Sequence, residues 1–220
     1  MNKNNIRTAV VVIAVVILAI GTYLAYEKYT RRTHVVAMVK DAALRLRATV
    51  QGQAEGHDPA GDEASATAIE AYANTLRSMN TSSFAALADA ADDYLVTARE
   101  IMRRAVNMRL AKARLAPSVE ALASHIRGDR GAGAWTGVAV QRKQALDADL
   151  RQYRIAVESY ASLMSGLSAS QVKIAPFVDA SVLIDERMID QARKRALDAY
   201  GATEQNARQT ADLAAYRVRR

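Results

Sequence analysis

Between Thr8 and Tyr26 no position carries a charge, and the run AVVVIAVVILAIGTYLAY has no polar stripe to turn toward water. Roughly 19 residues at about 1.5 Å each make about 28 Å of helix, enough to cross the hydrocarbon of a bilayer. Val10, Val11, Val12, Ile13, Val16, Ile17, Leu18, Ile20 and Leu24 are the positions that hydrocarbon would solvate. The pattern predicts a transmembrane helix over 8–26, behind a short basic tail at 1–7 holding Lys3 and Arg7. A cleaved signal peptide competes with it, because Ala19-Ile20-Gly21 has the small-x-small spacing of a cleavage site. The apolar run nevertheless continues past the usual length of a signal region. Tyr23, Tyr26 and Tyr29, with Lys28, Arg31 and Arg32, stand where an aromatic belt and headgroup-facing cations belong. An uncleaved anchor, with the lipid bilayer as its first partner, is the expectation.

Past the anchor the period changes. Val35, Val39, Ala42, Ala43, Leu46 and Val50 recur at helical spacing, so a juxtamembrane helix over 27–51 is expected to continue the anchor as one rod. Gly52, Gly56, Pro59 and Gly61 then predict a loop over 52–62, with Asp62 as the cap of the next helix. The remainder, 63–220, reads as a helical bundle. A helix from about Glu63 to Met79 carries Ala66, Ile69, Tyr72, Ala73 and Leu76 on one side. A long third helix runs from Phe84 toward Leu115, with two apolar faces. Leu87, Ala91, Tyr94, Ala98, Ile101, Ala105 and Met108 form one, and Leu95, Met102, Val106 and Leu110 the other. Two such faces make it the element expected to be most buried.

Pro117 suggests a separate short helix or a kinked continuation over Ser118 to Ile126. RGDRGAGAWTG is the clearest break, and Trp135 falls in that loop. Leu146, Leu150, Tyr153, Val157, Tyr160, Met164 and Leu167 mark a further helix ending near Gly166. A last helix from about Phe177 has the seam Ile189, Ala192, Ala196, Tyr200, Ala207, Ala211 and Ala214. The fold class is therefore all-α: one N-terminal transmembrane helix continuing into an elongated antiparallel bundle.

Composition narrows the chemistry. Alanine supplies about a fifth of the chain and aromatic residues 5%, which suits close-packed helices with small seam residues. With no cysteine there is no disulfide, thiolate metal site or cysteine nucleophile. The net charge of +7 is modest for a nucleic-acid binder, and the cations of Arg99 to Arg114 wrap around their helix, so no nucleic-acid partner is expected. Asp89, Asp92 and Asp93 sit at i, i+3 and i+4 but read as a solvated stripe complementing the helix dipole. His34, His57 and His125 are too scattered for a metal pair, and no serine is set beside a histidine and an acid. Arg127-Gly128-Asp129 is ordinary loop material.

Trp135, the sole tryptophan, either closes the end of the bundle or anchors a partner. No catalytic residue, cofactor or metal ligand is expected. The functional expectation is a non-enzymatic, single-pass, membrane-anchored interaction or scaffold module binding a protein partner or a second copy of itself. A small-molecule-binding, sensor-like bundle is the alternative, and an enzyme comes third. Lys28, Arg31, Arg32 and Lys40 counted against Lys3 and Arg7 favour a cytoplasmic domain. Long domains are translocated regardless of charge, however, and the expectation here is a periplasmic domain on an inner membrane.

Overall fold

A computed structural model describes residues 3–52, 59–128 and 135–219, with side chains described from 16 onward and none at 219. The described chain consists of five long helices, α1 (Lys3–Gly52), α2 (Pro59–Ser78), α3 (Ala85–Arg127), α4 (Trp135–Ile174) and α5 (Glu186–Arg219), with 3₁₀ turns at Ser82–Phe84 and Ala180–Val182. No strand occurs among the described residues.

A ladder of polar contacts fixes the antiparallel order. Thr49 of α1 meets Asp62 at the start of α2, and Arg31 meets Asn80 just past its end. Between α2 and α3, Arg77 pairs with Asp92, Glu70 with Arg99 and Arg103, and Asp62 with Arg109. Lys173 reaches Asp93, Ser118 donates to Asp149, and His125 meets the Trp135 carbonyl, which sets α4 against α3. Tyr153 packs on Tyr200 across α4 and α5.

α3 touches each of the other four helices. Both of its apolar faces turn inward: Leu87, Tyr94, Ile101, Leu95, Met102 and Val106 are buried, and only Leu110 stays exposed. The seams of the other helices are buried as their spacing requires, including Val35 to Val50, Ala66 to Leu76, Leu146 to Leu167 and Ile189 to Ala214. Each of these seams is covered by apolar residues of neighbouring helices.

Several element ends differ from expectation. α2 begins at Pro59, so the loop expected to reach 62 is shorter. Proline is at home in a first turn, where its missing N–H costs nothing. Asp62 is consequently not a cap but a buried side chain within the first turns of α2. Pro117 lies inside an uninterrupted α3. It faces solvent, where water can take the carbonyl its ring leaves unbonded, while Leu115, Leu122 and Ile126 hold the helix down on both sides. α4 starts at Trp135 and passes Gly166 to end at Ile174, because burial of Leu167 and Ile174 outweighs the roughly 1 kcal/mol that a helical glycine costs. α5 starts at Glu186 instead of near Phe177, with Asp185 as its N-cap, accepting from Met188 N at 2.8 Å.

α1 is continuous through 8–51, as the rod requires. Among the described residues no helix is long and apolar enough to cross a membrane, so the described residues give the expected span over 8–26 no support. The first part of that run, to residue 15, lies outside the residues whose side chains are described.

Candidate functional site

Two features stand out from a chain otherwise folded onto itself: the stem of α1 that extends beyond the bundle, and a cleft between α3 and α4. On the stem, Val16, Ile17, Leu18, Ile20, Tyr23, Leu24, Tyr26 and Tyr29 are all exposed, between 49% and 70%. At about 100° per residue these positions go right around the helix. Val10, Val11, Val12 and Ile13 lie outside the residues with described side chains. Lys28 and Arg32 are exposed, whereas Arg31 is paired closely with Glu27 and donates to the Asn80 carbonyl at 3.4 Å. That last bond rests the α2–α3 turn on the stem at the point where it enters the bundle. His34 is exposed just above, and His57 lies outside the described residues.

Above this foot, α1 is locked to α2 by two polar groups. Asp41 Oδ2 accepts from Tyr72 at 2.8 Å and from Arg45 at 2.5 Å. Burial works against its charge, but those two hydrogen bonds and the nearby guanidinium outweigh it and hold the carboxyl below its ordinary pKa. The same carboxylate pushes the Tyr72 hydroxyl up. Higher still, Asp62 is 2% exposed, accepts from Thr49 at 2.7 Å and forms a close ion pair with Arg109. Three helices are pinned by one buried carboxylate, and the sequence alone showed only the separate residues.

The Asp89, Asp92 and Asp93 stripe serves packing: Asp92 binds Arg77 of α2, and Asp93 binds Lys173 of α4. Among the described residues no group of three His, Asp or Glu side chains is placed to hold a metal. Four of the α3 cations are spent in the same way, Arg99 and Arg103 on Glu70, Arg104 on Glu100 and Arg109 on Asp62.

The cleft between α3 and α4 has a volume of about 270 Å³ and is open to solvent, with Leu110 and Ile155 on its walls and Arg104, Arg114, Asp149 and Gln152 around them. Leu110 is 44% and Ile155 56% exposed.

Trp135 is not in a loop. It is the first residue of α4, 7% exposed, stacked on His125 with ring centroids 5.0 Å apart, and its Nε1 donates to the His125 carbonyl at 3.2 Å. His125 Nε2 is 2.8 Å from the Trp135 carbonyl, so the two residues close the α3–α4 end reciprocally. Little of the indole is left for a partner to touch. Asp129, Gly131 and Gly133 lie outside the described residues. A buried, paired indole at a helix start cannot be told from a loop indole by composition, since both follow glycines.

No protein family, no curated protein and no solved structure matches this chain.

Proposed function

We propose that this chain is a non-enzymatic, single-pass, membrane-anchored helical bundle that holds an interaction surface near a lipid surface. The observation that carries the proposal is the apolar stem. Exposed valine, isoleucine, leucine and tyrosine on every side of a helix have no aqueous explanation, and the sequence extends that character without a charge from Thr8 to Tyr26. The tyrosines and the Lys28, Arg31 and Arg32 cations follow it in the order in which an interface and its headgroups follow hydrocarbon. The proposed placement is an inner membrane with the domain on the periplasmic side.

The surface offered to a partner is the α3–α4 cleft. Because both apolar faces of α3 are spent inside the bundle, the broad face of that helix is not the docking surface, and Leu110 and Ile155 are the exposed large apolar side chains that line this cleft. Arg114 beside these residues, with no ion pair among the described residues, favours an amphipathic helical segment with an acidic flank. A small-molecule site is the weaker reading, because an open cleft of about 270 Å³ would enclose little of a ligand.

Membrane fractionation tests the anchor: the intact chain is expected to stay with membranes through an alkaline carbonate wash, and its recovery in the aqueous fraction without detergent would end the proposal. A reporter fused after Arg220 is expected to be active only outside the cytoplasm. A photo-crosslinking residue at Ile155 is expected to give one discrete heavier species in membranes, and one at exposed Lys194 none. Equal crosslinking from the two positions would remove the cleft as a docking surface.

A further inference from the structure

At the foot of the bundle, where the α2–α3 turn rests on the stem of α1, a cleft of about 260 Å³ opens between Leu24, Lys28 and Arg31 on one side and Asn80, Ser82 and Ser83 on the other. We infer that it holds the headgroup of an anionic phospholipid, with Lys28 and Ser83 as donors to the phosphate. The inference rests on the anchor reading above and deepens it.

Leu24, Lys28 and Arg31 occupy one face of α1 at i, i+4 and i+7, so the cleft wall changes from apolar to cationic within two turns, about 10 Å along the axis. An acyl chain and its phosphate change in the same direction over a similar length. Glu27, the acid in the lining, is held by Arg31. Arg31 also donates to the Asn80 carbonyl, so this guanidinium builds the cleft and Lys28 remains as the cation without an ion-pair partner among the described residues. On the opposite wall Ser82 donates to Asn80 Oδ1 at 2.8 Å, whereas the Ser83 hydroxyl has no hydrogen bond among the described residues and is exposed. An ammonium and a hydroxyl converging from two elements suit one phosphate.

The apolar lip at Leu24 favours a lipid over a free anion, which has no use for it. Choline or ethanolamine would add a cation beside Lys28 and Arg31. A glycerol headgroup adds only hydroxyls, for which the Asn80 and Ser82 side chains are fitting neighbours.

The test uses the full chain in vesicles of phosphatidylcholine alone and with phosphatidylglycerol added, and reads the phosphatidylglycerol retained per chain after gentle detergent extraction. The wild-type chain is expected to retain it selectively. Lys28→Gln is expected to reduce retention at least five-fold and Ser83→Ala two- to three-fold. Arg32→Gln removes the same charge outside the cleft and is expected to change retention less than two-fold. Lys28 and Arg32 are both exposed, and unchanged helical circular dichroism checks that each variant is folded. Equal losses from Lys28→Gln and Arg32→Gln would replace the site by diffuse surface attraction and overturn the inference, as would displacement of the lipid by millimolar inorganic phosphate. A chain that does not float with pure phosphatidylcholine vesicles refutes the anchor itself. A chain that floats but shows no preference for phosphatidylglycerol refutes the headgroup site alone.

Discussion

Gln171 holds Ile184 by both ends of its carboxamide: Nε2 donates to the Ile184 carbonyl at 2.8 Å and Oε1 accepts from the Ile184 N–H at 2.9 Å. The side chain thus supplies the two hydrogen bonds that a neighbouring strand would supply, at a buried point of the link between α4 and α5. Arg47 completes the clasp from α1, donating to the carbonyls of Ser181 and Leu183 at 2.8 and 2.6 Å.

Gln171→Leu keeps the volume but leaves both Ile184 groups unsatisfied. The expected loss is about 2–4 kcal/mol of stability, from one buried donor and one buried acceptor at about 1–2 kcal/mol each. Thermal unfolding of the detergent-solubilised full chain measures it, and a shift no larger than that of an exposed control such as Gln191→Leu would contradict the role.

Asp62 and Arg109 make a sharper pair of predictions. Arg109→Met strands a carboxylate that is 3% exposed and should destabilise the fold by about 3–5 kcal/mol. The double variant Asp62→Leu with Arg109→Met removes both charges and should recover most of the loss. A double variant as unstable as the single one would show that the cost was shape, not charge.

Acid should loosen the α1–α2 contact through Asp41. Its pKa is lowered in the folded state, so its contribution is fully present above the unfolded carboxyl value of about 3.9 and is lost as pH falls through the lower folded value. Melting temperatures of wild type and Asp41→Asn should therefore differ at neutral pH and draw together progressively as pH falls below about 4. A gap that stays constant down to pH 2 would mean the carboxylate charge is not what Tyr72 and Arg45 hold.

The sole tryptophan reports on the far end of the bundle. With Trp135 buried against His125, emission should be blue-shifted and acrylamide quenching weak in the wild type. His125→Ala removes the stacking partner and one hydrogen bond, for an expected loss of about 1–2 kcal/mol and a red shift. A spectrum already like that of free indole in water would place Trp135 outside the bundle.

The seams of all five helices were legible because burying a helix demands an apolar residue every third or fourth position. Val35 to Val50 and Ile189 to Ala214 carry that demand openly. The helix ends were less legible. Pro117 and Gly166 look like breaks, yet each sits on an exposed face of a helix whose neighbouring turns are anchored by buried leucine and isoleucine. Local propensity amounts to roughly 1–3 kcal/mol at such a position and yields to packing on both sides.

By itself, then, the sequence determined the all-helical class, which residues face inward, and an uncharged run from Thr8 to Tyr26. Those properties are written in spacing and composition, which need no knowledge of neighbours. The tertiary structure decided that Asp62 pairs with Arg109, that Trp135 is enclosed by His125, that α3 spends both apolar faces inside, and that Leu110 and Ile155 remain uncovered together. Each of these joins side chains from different helices, and their meeting depends on how the helices are ordered and staggered, which no periodicity within one helix encodes.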